Sequence, residues 1–205
     1  YNQGDYITAG HYFTTYYNTY PKGTFTHLAR FYSGKSLLLD TPEARLDQSS
    51  TYNAISELQL FMEYFPDSNR KTEAQLMIFN LQDKLVLKDY LTAKLYYDLG
   101  TYTGNASYTA DMRINGNNFL ACITTAQNAL KDYPYTSMRE DISILLLRAK
   151  YKLGSESVLD KKEERMRETI DEYYAFKNEF PESKYMKEVE AIYKDASKYV
   201  KELNE

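Results

Sequence analysis

The apolar positions of this chain fall at steps of three and four over most of its length. Tyr6, Ala9, Phe13, Tyr16, Tyr17 and Tyr20 form one stripe, and Ala54, Ile55, Leu58, Phe61, Met62 and Phe65 a second. A third runs through Ala121, Cys122, Ala126, Ala129, Leu130 and Tyr133, and a fourth through Ile170, Tyr173, Tyr174, Phe176 and Phe180. That spacing is the mark of amphipathic helices. Each stripe runs into an aromatic residue followed by proline: Tyr20-Pro21, Phe65-Pro66, Tyr133-Pro134 and Phe180-Pro181. Proline cannot continue a helix and biases the residue before it away from helical geometry, so a helix ends at each mark.

A second helix is expected after each mark. Ser137-Met138-Arg139-Glu140 has the form of a capping box ahead of Ile142, Leu145, Leu146 and Ala149. Thr41-Pro42-Glu43 reads as an N-cap, a first-turn proline and a first-turn acid. Eight positions past the four prolines stand Ala29, Ala74, Ile142 and Val189, where one helix would lie close against its partner. The pattern predicts helices over 4–20, 24–39, 46–64, 69–86, 88–99, 118–132, 137–153, 159–180 and 184–203. The stretch 67–99 has neither Gly nor Pro, which also allows 69–86 and 88–99 to be one long bent helix. No segment alternates as a strand does.

Punctuation recurring at Pro-to-Pro steps of 45, 68 and 47 residues is the signature of a repeat array. The expected fold is therefore all-α, an α-solenoid of stacked antiparallel helix pairs over residues 1–205. Within it, 1–66 forms N-terminal repeats, 67–153 central repeats and 154–205 a terminal charged helix pair. Residues 101–118 read as an irregular connection with turn dipeptides Gly104-Asn105 and Asn115-Gly116 and a sequon, Asn105-Ala106-Ser107. The mixed charges of 161–168, with Glu163 and Arg167 one turn apart, read as a solvated helix face.

Composition narrows the function classes. The 205 residues are 43% apolar with 8 Gly and 5 Pro, which argues against disorder. A net charge of −4 offers no basic footprint for nucleic acid. The one cysteine, Cys122, excludes an internal disulfide or a paired-cysteine zinc site and reads as a small buried hydrophobe. No run of 18 apolar residues spans a membrane. The chain opens on Tyr1 in polar sequence and reads as one whose natural start, with any export signal, has been removed.

Chemistry is scarce. His11 is followed by Thr14 and Thr15, and His27 by Arg30 and Phe31, so neither has a metal-ligand neighbour one turn on. No phosphate loop, dinucleotide fingerprint or nucleophile elbow occurs. The acid pair Glu163-Glu164 lacks surroundings that would desolvate it. No catalytic residue, metal or cofactor is expected, and the chain does not read as an enzyme. Surface remains. Tyrosine, present 22 times against 9 Phe and no Trp, packs its ring while its hydroxyl stays wet. Tyr12, Tyr16, Phe25, Phe31, Tyr32 and Tyr52 are candidates to line a groove for an extended or helical peptide, or equally to pack between helices.

The helix-pair grammar resembles tetratricopeptide repeats, and particular phrases narrow the resemblance. Asp5-Tyr6-x-x-Ala9-x-x-x-Phe13 leading to Tyr20-Pro21, Leu46-Asp47-Gln48 ahead of Ala54, Phe61 and Tyr64-Phe65-Pro66-x-Ser68, and Lys88-x-Tyr90-x-x-Ala93-x-x-Tyr96-Tyr97-x-x-Gly100 ahead of Ala129-Leu130-Lys131-Asp132-Tyr133-Pro134-x-Thr136 occur in order. Over residues 4–155 they look like the BamD family, lipoprotein subunits of the outer-membrane β-barrel assembly machinery. The resemblance implies a periplasmic scaffold, lipid-anchored to the outer membrane through a cysteine upstream of this chain. It places unfolded outer-membrane protein segments on 1–66. It docks the periplasmic domains of the barrel-forming assembly protein on 88–153, where Lys94, Tyr97, Arg139 and Arg148 would present contacts. Other assembly lipoproteins are further partners it allows. The length of 101–118 and the C-terminal part, 156–205, depart from the family pattern. Competing readings are a periplasmic adaptor of another envelope complex, such as one for division, an enzyme or carbohydrate-uptake component built around 101–118, and a cytosolic co-chaperone.

Overall fold

The stripes become helices because each has a start signal, an apolar face and a stop. In the computed structural model, which describes residues 1–101 and 117–202, the described residues are all-helical. The helices are α1 (Tyr6–Thr19), α2 (Thr26–Leu39), α3 (Ser49–Tyr64), α4 (Lys71–Leu99), α5 (Asn118–Asp132), α6 (Arg139–Ser155), α7 (Leu159–Glu179) and α8 (Met186–Glu202). The two helices expected over 69–99 are one, α4, as a stretch without Gly or Pro allows. The α4 helix stops at Gly100, whose φ of +54° is the left-handed conformation glycine adopts most readily. The Gly100 carbonyl then accepts the Asn118 N–H at 3.1 Å, and the Asn117 side chain caps α5 by accepting the Phe119 N–H at 3.0 Å. The turn dipeptides and the sequon of 104–116 lie outside the described residues.

All four proline marks fold alike. Tyr20, Phe65, Tyr133 and Phe180 have φ/ψ of −125/66°, −131/63°, −128/68° and −126/62°. Each aromatic N–H still donates to the carbonyl four residues back, on Tyr16, Phe61, Ala129 or Phe176. Each aromatic carbonyl then accepts the N–H three residues on, from Gly23, Ser68, Thr136 or Ser183. In the last three turns that residue's hydroxyl accepts the N–H two positions further, from Arg70, Met138 and Tyr185. The punctuation is a single backbone device that turns the chain and starts the next helix.

Two expected helix starts are corrected. Thr41-Pro42-Glu43 caps no helix: it lies in the connection between α2 and α3, and the Thr41 hydroxyl donates back to the Leu38 carbonyl. That connection is organised by Gln48, which is buried, donates to the carbonyls of Glu43 and Leu46, and accepts the Thr51 hydroxyl at 2.7 Å. The capping box at Ser137 is also not formed. The N-cap of α6 is Met138, and the Glu140 carboxylate instead accepts the Ser183 hydroxyl at 2.6 Å.

The chain divides into two compact units, Tyr1–Lys88 and Asp89–Glu205. Helices that follow one another in the chain pack as antiparallel pairs in each: α1 on α2 and α2 on α3 in the first, α5 on α6, α6 on α7 and α7 on α8 in the second. In unit 1 the core is Phe31, Ala54, Leu58, Phe61, Ala74, Met77, Ile78 and Leu81. In unit 2 it includes Ile144, Leu147, Tyr173, Phe176, Val189 and Ile192. Numbered from the prolines, the two lists share several places. Phe31 and Ile144 stand ten residues past a proline, Leu58 and Tyr173 eight before the next, Phe61 and Phe176 five before it, Ala74 and Val189 eight after it. The expected close positions, Ala29, Ala74, Ile142 and Val189, are all buried.

Candidate functional site

Ring contacts give unit 1 its one assembled aromatic cluster among the candidates. Tyr32 of α2 stacks on Phe13 of α1 with ring centroids 5.6 Å apart, and Tyr1 packs edge-on against Tyr32, Phe13 and Tyr6. Tyr1, Asn2, Gln3, Phe13 and Tyr32 line an open cleft of about 570 Å³. Charge stands beside it. The Arg70 guanidinium lies 4.9 Å from the Phe31 ring centre and 5.5 Å from that of Tyr32, and bonds Glu73, which accepts Lys35 at 2.8 Å. Burial pushes the Tyr1 phenol above its ordinary range, with Lys35 opposing. Such rings with an adjacent cation offer apolar area and a partner for polar peptide groups.

The other groove candidates are dispersed. Tyr16 packs on Tyr20 at the end of α1, with ring centroids 5.4 Å apart. Tyr12, Phe25 and Tyr52 each keep more than half of their surface exposed. Phe31 is fully buried, edge-on to Phe61 at 5.4 Å, and so belongs to the inter-helix core and not to a groove wall. Near the proline turns, Arg30 is held between the rings of Tyr17 and Tyr64 at 4.3 and 4.4 Å, with Glu57 3.9 Å away. Burial and the Glu57 carboxylate push the Tyr17 phenol up. Phe13, Tyr1 and Arg30 were not singled out from sequence as site residues. Phe13 stands in the sequence as an apolar step of α1 and as part of the Asp5–Phe13 phrase, neither of which marks it as a cleft residue, and the stacking of Arg30 depends on two rings 47 residues apart.

In unit 2 each docking candidate has a partner within the chain. Arg148 grips Glu188 through two hydrogen bonds of 2.6 Å and lies 5.3 Å from the Tyr185 ring centre. Arg139 bonds Glu179 and the Pro134 carbonyl. Lys94 pairs with Asp98 one turn on at 3.1 Å. Tyr97 packs edge-on against Phe119, with centroids 5.7 Å apart, and burial raises its phenol while Arg148 opposes the shift. Tyr97 and Arg148 thus lie near each other. Arg139 sits nine residues before Arg148 on α6, about 13 Å along the axis.

Arg148 and Lys35 occupy the same place, fourteen residues past Pro134 and Pro21, and their acceptors Glu188 and Glu73 both lie seven past the next proline. Each cation holds its glutamate below the ordinary carboxylate range, chiefly through the direct hydrogen bond. The pair is a clamp between successive repeats, so part of Arg148's chemistry is spent inside the fold.

Among the described residues no group of three His, Cys, Asp or Glu side chains is placed to hold a metal ion. Cys122 is buried, and desolvation pushes its thiol up to about 12, where it is inert as a nucleophile. No described helix is long and apolar enough to cross a membrane. No curated protein matches the chain. The outer membrane lipoprotein family YfiO matches residues 1–115, more than half of the sequence. With its helix pairs and proline turns already in view, that match shows that the chain belongs to the YfiO outer membrane lipoprotein family.

Proposed function

We propose that this protein is a scaffold of outer-membrane β-barrel assembly, the role that the resemblance to BamD implies. It binds polypeptides and performs no chemical step. Unit 1 receives segments of unfolded barrel proteins, with the Tyr1–Phe13–Tyr32 cleft and exposed Tyr12, Phe25 and Tyr52 as its contacts. The periplasmic domains of the barrel-forming partner dock on 88–153 through Lys94, Tyr97, Arg139 and Arg148. The protein works at the periplasmic face of the outer membrane, held there by a lipid anchor. Weak, reversible binding suits hand-over, because a tightly held client could not leave.

The observation that carries this reading is the family membership of 1–115, joined to aromatic side chains left exposed on unit 1. The clustered rings of Tyr1, Phe13 and Tyr32 beside a cation supply apolar area and a polar partner for a bound peptide.

The test is co-purification of the folded chain with the periplasmic domains of its cognate barrel-forming protein, beside titration with peptides from barrel C-termini. Binding of both is expected. Failure of both, by a sample with full helical content, would favour an adaptor of another envelope complex. Exchanging the charges, Arg148→Glu with Glu188→Arg, keeps the clamp and removes this one cation from α6. Docking should then weaken with helicity unchanged.

A further inference from the structure

Numbering from the prolines singles out, among the described residues, a helix face that is apolar but exposed. In unit 1, Phe31 and Gly34 stand ten and thirteen residues past Pro21. The α3 helix covers them with Phe61, 5.4 Å from the Phe31 ring, and with Leu58, which occupies the space a Cβ at Gly34 would need. In unit 2, Ile144 and Leu147 stand at the same places past Pro134 and are buried in the core that holds Tyr173 and Phe176 of α7. The last helix, α8, carries Ala191 and Lys194 there, both exposed, a small and charged end suited to water.

The α4 helix is different. Ten and thirteen past Pro66 stand Leu76 and Phe79, exposed by 58% and 43%, and Leu87, exposed by 37%, follows on the same helix face. The chain's own residues in the covering register, eight and five before Pro134, are Ala126 and Ala129, which are small and already buried. The opposite side of α4 is satisfied in the core by Ala74, Met77, Ile78 and Leu81. Large apolar groups thus stand on the face that two sister helices cover and the terminal helix makes polar.

We propose that the Leu76–Phe79–Leu87 face of α4 docks an amphipathic helix of a partner protein, which presents two large apolar side chains three residues apart. The covered joints define that occupant: Leu58 with Phe61, and Tyr173 with Phe176, are both such pairs on a helix. Helix-in-groove recognition reads anchors at this spacing. Where the covered joints carry Lys35 and Arg148, whose acceptors Glu73 and Glu188 stand on α4 and α8 and not on the covering helices, α4 carries the neutral Asn80. The inference stands on repeat geometry alone and does not depend on the barrel-assembly reading.

The test uses the full chain and a fluorescent synthetic peptide of the α3 sequence, residues 49–65, which carries the Leu58 and Phe61 anchors. Saturable binding by anisotropy is expected. Leu76→Ser or Phe79→Ser should weaken it about tenfold or more, given the apolar area each removes. Replacing both anchors in the peptide by alanine should abolish binding, and Lys194→Ser on α8 should leave it unchanged. Because Leu76 and Phe79 are exposed, the variants should keep full helicity by circular dichroism. Absence of saturable binding, or binding indifferent to both α4 variants, overturns the proposal. A dimer of the chain in sedimentation equilibrium that Phe79→Ser dissolves also overturns it, by making a second copy the occupant.

Discussion

Where unit 1 sets Phe31 against Phe61 and leaves Gly34 bare for Leu58, unit 2 sets Ile144 and Leu147 against Tyr173 and Phe176. Where unit 1 clamps the joint with Lys35 on Glu73, unit 2 uses Arg148, which reaches Glu188 with two bonds instead of one. The places are fixed and the occupants are free. A core tolerates such exchange when volume and apolar character are kept, because close packing constrains the sum more than each member. What neither unit varies is the count from the proline, since that count decides which side chains face each other.

The sharpest way to break this equivalence is to empty the shared place. Phe61→Ala and Phe176→Ala should each cost about 3–5 kcal/mol, the range for a fully buried phenylalanine, as read by chemical denaturation. A loss below about 1 kcal/mol at one of them would mean that the two joints are not alike, because the cavity term would be missing. Adding volume tests the difference between the units. A Cβ at Gly34 would come within 2.7 Å of the buried Leu58 side chain, so Gly34→Ala should destabilise by about 1–3 kcal/mol although alanine favours the helix.

The clamps should matter less. Lys35→Gln and Arg148→Gln should each cost at most about 1 kcal/mol, because both pairs are partly open to water. The two-bond Arg148 pair should lose more than the Lys35 pair, and the reverse order would deny the bidentate geometry its role. The smallest effect is on pH. Glu73 and Glu188 titrate below their ordinary value of 4.5 in the folded chain. Their contribution is therefore complete above that value and is lost as pH falls through the lower, folded one. Glu73→Gln with Glu188→Gln should flatten the fall in stability on acidification, measured by thermal unfolding at a series of pH values.

Much of the fold was legible because its signals are local. Apolar steps of three and four, a proline after an aromatic, and a small or apolar residue eight positions on are all read within one turn or two. The helix starts at Thr41 and Ser137 were misread for the same reason. Their residue types suit a cap, but Thr41 bonds back to α2, and Glu140 is taken by Ser183, 43 residues away. The candidate surface was legible only in part. Tyrosine content marks a supply of rings without saying which face they take, so Phe31 and Tyr32, adjacent in sequence, separate into core and cleft. Arg148 looked free for a partner because its acceptor, Glu188, lies 40 residues on.

The four turns at Tyr20, Phe65, Tyr133 and Phe180 share one set of angles, and each helix begins a fixed number of residues later. Deleting one residue between Pro134 and Arg148 would swing everything beyond it by about 100° around the α6 axis. Apolar side chains would then meet solvent, and Arg148 would miss its glutamate. The count between a proline and the residues it places is therefore held, while the 68-residue step from Pro66 to Pro134 takes in the 29-residue helix α4.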